Sequence, residues 1–92
     1  MRFSDLKINQ SVDDLKRKIV SGRIAVRGAQ GTVLGMLLAR PDLVAFGTVQ
    51  SVASECGVSG TTIVRVACKV GYSNFREMKI AFQKHIVETR KG

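Results

Sequence analysis

Apolar residues recur along the chain at helical spacing and strict alternation is rare, a pattern that predicts helices rather than strands. Val12, Leu15 and Ile19 form a first stripe. Ser11 ahead of them, with Asp14 three residues on, matches a capping box with Asp in place of Glu. A first helix is therefore expected from Ser11 to a stop at Gly22. Residues 22–31 hold Gly22, Gly28 and Gly31 and read as a loop. A second helix is expected over 30–40, with Val33, Leu34, Leu37 and Leu38 as its buried face. Pro41 ends it, and residues 41–46 form a short apolar connector with room for one helical turn.

Thr48 is a suitable N-cap for a third helix. There Val49, Val52, Ala53 and Cys56 fall at i, i+3, i+4 and i+7, and Gly57 breaks the run. Ser59 caps a fourth helix that runs to about residue 70, where Gly71 stops it. A fifth starts near Ser73 or Asn74, with Glu77 placed for a capping box on Asn74 and an apolar stripe of Phe75, Met78, Phe82 and Ile86. The expected fold is all-α, about five helices around one core over residues 11–90. Residues 1–10 are expected as a loose arm, and residues 89–92 as a fraying tail.

The third and fourth predicted helices change the picture from fold to function. Very few residues join them, and the turn contains Gly57. Two helices so joined form the DNA-binding helix-turn-helix when the second is free to enter the major groove. The tight crossing asks for a small residue in the first helix, a residue tolerant of positive φ in the turn, and a branched apolar plug in the second. Ala53, Gly57 and Ile63 meet those demands. The motif is placed at about 48–70.

On the second helix, with Thr61 as origin, Arg65, Lys69 and Thr62 fall at roughly 40°, 80° and 100°. Ile63, Val66, Ala67 and Val70 fall at roughly 140° to 240°. Residues 59–70 contain no Asp or Glu, whereas a merely solvated face mixes acid with base. Arg65 has the planar fork for a guanine edge or a phosphate. Thr61 and Thr62 stand at the helix start, where base edges are met, although Thr62 is equally placed for a half-buried position. Ser59 is first a cap and secondarily a phosphate contact. Lys69, with Arg76 and Lys79 on the fifth helix, is suited to phosphates. Thr48 and Gln50 stand where the first helix of the motif crosses the backbone.

Charge supports a polyanionic partner. The net charge is +8 with a pI near 10.2. Residues 1–26 carry six basic and three acidic groups, residues 27–57 two of each, and residues 58–92 seven and two. The excess thus sits at the two ends. A chain of 92 residues fits one domain. Its first 20 residues are polar and charged, without the apolar core of a signal peptide, and no apolar run is long enough for a membrane span. A cytoplasmic protein is expected. Cys56 and Cys68 lack metal-type spacing and His85 is the only histidine, so neither a metal site nor a cofactor is expected. Both thiols are expected reduced, in the core or at its margin. With no paired carboxylates, nucleophile–His constellation or phosphate loop, an enzyme is disfavoured.

The same stretch resembles the N-terminal domain of the RpiR-type bacterial transcriptional regulators. The resemblance lies in PDLVAFGT at 41–48, VQSVASECGVSGTTIVRV at 49–66 and ACKVGYSNFREMKIAF at 67–82, and it extends over about 33–86. It implies a five-helix domain that dimerises and binds double-stranded operator DNA, with recognition positions on Ser59, Thr61, Thr62, Arg65 and Lys69. The usual Leu-Thr-x-x-Glu opening of the second helix is replaced here by Val26-Arg27-Gly28-Ala29-Gln30. The sugar-isomerase-type domain that normally follows, and would hold a phosphosugar effector, is not expected within these residues. A homodimer on an inverted repeat is expected, because one recognition helix reads too few base pairs. Apolar residues of the first and last predicted helices are the candidate interface. Two other readings are a nonspecific nucleic-acid binder governed by charge, and a helical protein-interaction domain.

Overall fold

Local capping chemistry sets the boundaries of most helices. In the computed structural model, which describes residues 10–89, α1 spans Val12–Val20, and both halves of the Ser11–Asp14 capping box form. The Asp14 amide donates to Ser11 Oγ at 3.1 Å and the Ser11 amide to Asp14 Oδ2 at 3.4 Å. Helix α2 spans Gly28–Ala39, beginning two residues earlier than expected and with no side-chain cap. The connector after Pro41 is a helix in its own right, α3, over Pro41–Phe46. Pro41 fits the first helical turn because its missing N–H has no partner to lose there. Helices α4 (Val49–Cys56), α5 (Gly60–Lys69) and α6 (Phe75–Thr89) complete six helices, with no strand among the described residues.

Helices α4 and α5 end in the same hydrogen-bonded device. After α4 the Val58 amide reaches back to Ala53 O at 3.0 Å and the Gly57 amide to Ser54 O. After α5 the Tyr72 amide bonds Ala67 O at 3.0 Å and the Gly71 amide bonds Cys68 O. These paired bonds are the Schellman pattern, which requires positive φ at the turning residue. Gly57 and Gly71 supply it, at 69° and 110°.

One apolar core joins all six helices. Val12 and Leu15 of α1, Val33, Leu34 and Leu37 of α2, and Val44 and Ala45 of α3 are buried with Val52, Ile63, Val66, Met78 and Phe82. Helix α3 lies along α6, and α6 caps its end. Gln83 Nε2 donates to Ala45 O at 2.9 Å and Lys79 Nζ to Gly47 O at 2.8 Å. These are carbonyls that a short helix leaves without internal partners.

Gln10, at the edge of the expected loose arm, is buried. Its Nε2 donates to Val70 O at 2.8 Å, and its Oε1 accepts from Lys18 Nζ at 2.6 Å. The rest of that arm, residues 1–9, lies outside the described residues, as do residues 90–92 of the expected tail. Thr89 itself is still helical and donates to Ile86 O at 3.1 Å.

Candidate nucleic-acid interface

Helix α5 is held against α4 by the residues expected to do so. Ala53 is buried beneath the crossing, Gly57 turns the chain, and Ile63 is fully buried. Gly60 lies so near α4 that a Cβ on it would stand 3.0 Å from Val49 Cγ1. Thr48 caps α4, accepting from the Ser51 amide at 3.1 Å, and Ser51 Oγ accepts in return from the Thr48 amide at 2.8 Å. Ser59 caps α5, its Oγ accepting from the Thr62 amide at 3.3 Å and lying 3.1 Å from Thr62 Oγ1.

The buried side of α5 is Ile63, Val66 and Ala67. The opposite arc is open to solvent and holds Thr61, Arg65 and Lys69, with Thr62 half-buried at its margin. None of these positions is acidic, and α5 contains no acid at all. Val64, 40% exposed, and Cys68 also lie on this arc. Sequence reasoning missed both as members of the face. The helical angle that placed Arg65 puts Val64 at roughly 300° and Cys68 at roughly 340°, so position alone could have found them. The expectation that both thiols belong to the core or its margin fails for Cys68. It is exposed, with Sγ 3.8 Å from Ser73 O, whereas Cys56 is half-buried.

Two grooves divide the remaining candidates. Thr48 lines one of about 570 Å³ with Arg76 and Lys79, between the start of α4 and α6. The other, about 460 Å³, is lined by Val64, Arg65, Cys68 and Lys69 of α5 and by Gln30 of α2. Lys79 is tied to Gly47 O, so its first role is to hold the α3–α4 link. Gln50 is exposed on α4. The Asn74–Glu77 cap forms with a shift. The Glu77 amide donates to Asn74 Oδ1 at 2.8 Å, while the Glu77 carboxylate accepts from the Ser73 amide, one residue before the expected donor.

Tyr72 follows α5 and is buried with the core, its hydroxyl lacking a hydrogen-bond partner among the described residues. Burial pushes the phenol up to about 12, and the neighbouring Gln10 side chain offsets only part of this. The Gln10 amide group is already engaged by Val70 and Lys18. No group of side chains suited to a metal ion occurs among the described residues, and none of their helices is long and apolar enough to cross a membrane.

A helix pair with this turn, this crossing and a free outer arc is the helix-turn-helix architecture. The sequence matches the family described as helix-turn-helix domain, rpiR family, over residues 13–89. The chain belongs to that family. Searches of curated proteins and of solved structures returned no match. The match to the rpiR family begins within α1 and runs to the end of α6, so it takes in every helix of the domain and not only the α4–α5 pair.

Proposed function

We propose that this rpiR-family domain is the sequence-specific DNA-binding part of a bacterial transcriptional regulator, acting in the cytoplasm with α5 in the major groove. The observation that supports this most is the outer arc of α5, where Thr61, Arg65 and Lys69 are exposed and no acid intervenes. Arg65 reads a guanine edge or grips the phosphate beside it. Thr61 meets a base edge from the first turn, and Thr62 does so from the margin while bonding Ser59. Ser59 and Lys69 grip phosphates, as do Thr48 and Gln50 at the start of α4 and Arg76 from α6. The chain acts as a homodimer on an inverted repeat. Exposed apolar surface available for pairing lies at Val20 of α1 and Val87 of α6, with Phe46 of α3 a further such site. Any phosphosugar effector acts through a domain outside residues 11–90, the span of the DNA-binding domain.

Selection of binding sites from random duplexes at roughly 0.15 M salt tests this, since surface charge is already well screened there. Enrichment of an inverted repeat is expected. Arg65→Ala is expected to cost about 1–3 kcal/mol on the selected site and to relax preference at one base pair. Binding without enrichment that vanishes as salt rises would instead identify a nonspecific, charge-governed binder.

A further inference from the structure

The start of α2 opens onto the same groove as the polar arc of α5. Gln30, in the first turn of α2, is the one described residue lining that groove from outside α5. Arg27, one turn ahead, is exposed and makes no side-chain bond to the helix it precedes. Among the described residues no acid lines the groove, and none lies in the first turn of α2. Arg65 and Lys69 thus line the groove from α5 and Gln30 from α2, and the exposed cation of Arg27 precedes Gln30 by three residues.

We propose that this groove seats one strand of the phosphodiester backbone of the bound duplex, gripped by Arg27 and Gln30 while α5 occupies the adjacent major groove. The proposal rests on the DNA-binding reading above and adds contacts from α2, outside the helix-turn-helix pair. The occupant follows from charge and continuity. Two cations in its lining, a third three residues before Gln30, and no acid among the described lining residues suit a polyanion, and Arg65 and Lys69 belong to the helix face that would read bases, where rows of phosphates flank the major groove. Val64 and Cys68 add less polar surface to the lining that suits the sugar edges between phosphates. Gln30 donates to a phosphate oxygen without adding charge, and Arg27 grips the neighbouring phosphate as a cation.

The test measures affinity for the best selected duplex, with the full chain, across a salt series. Arg27→Ala is expected to weaken binding about tenfold and to lower the salt slope by about 0.9, the counterion release of one phosphate contact. Gln30→Ala is expected to weaken binding about three- to tenfold with an unchanged slope. Arg27→Ser removes the same charge but gives α2 the N-cap it lacks, so it should melt above the wild type while losing the same slope. That opposite movement of stability and affinity separates a lost contact from a folding defect. Duplex should also protect Cys68 from N-ethylmaleimide, with half-buried Cys56 as the internal reference. If both alanine variants keep wild-type affinity and slope while Arg65→Ala loses affinity, the α2 contact is overturned and the DNA-binding reading stands. If the wild type binds no duplex, that reading falls and takes the α2 contact with it.

Discussion

Tyr72 is the single tyrosine of a chain without tryptophan, so its ionisation can be followed alone by phenolate absorbance. Its hydroxyl is buried without a partner among the described residues, and burial raises it from 10.0 to about 12. The folded chain then holds the phenolic proton more tightly than the unfolded chain between those two values. Stability from this source is fully present below pH 10 and is lost as pH rises through about 12. The loss is on the order of 3 kcal/mol. The absorbance midpoint is expected near 12 for the folded protein and near 10 in denaturant. Tyr72→Phe should raise the melting temperature at pH 7, because it removes a buried hydroxyl that satisfies nothing, and should flatten the alkaline decline in melting temperature.

At the scale of elements, the turn between α4 and α5 holds the interface in shape, and Gly57 is its hinge point. A Cβ there would meet nothing within 4 Å, while φ is 69°. The cost of Gly57→Ala is therefore a backbone cost alone, about 1–2 kcal/mol. Chemical denaturation should show a lower midpoint with an unchanged slope. The elements that sequence made legible are those whose signals are local. The Ser11–Asp14 box, the Thr48 and Ser59 caps and the stripes of α1 and α6 all need only near neighbours. The start of α2 was misplaced because no side chain marks it, and α3 hid as a connector because its six residues are too few to show periodicity. The site divides in the same way. The arc of Thr61, Arg65 and Lys69 follows from angles on one helix, and so do Val64 and Cys68, which apolar chemistry disguised. Gln30 beside Arg65, and Lys79 on Gly47 O, arise only when distant helices meet, which no local pattern records.

For the molecule as a whole, a charge of +8 on 92 residues should make DNA association steeply dependent on salt. Pairing of two chains is the outstanding expectation at this scale. Analytical ultracentrifugation should show a dimer, at least on DNA with two half-sites, and a monomer under both conditions would remove the inverted-repeat reading. The bond from Gln10 to Val70 O has a consequence for how the domain breathes. The end of the motif's second helix is fastened to the residue just before the N-cap of α1, and Lys18 of α1 closes the chain of contacts. The last turn of α5 cannot then fray as an independent end. In hydrogen exchange, its amides should open together with those of α1, as one cooperative unit far apart in sequence. Gln10→Ala should uncouple them, so that the end of α5 exchanges faster while the middle of α1 does not.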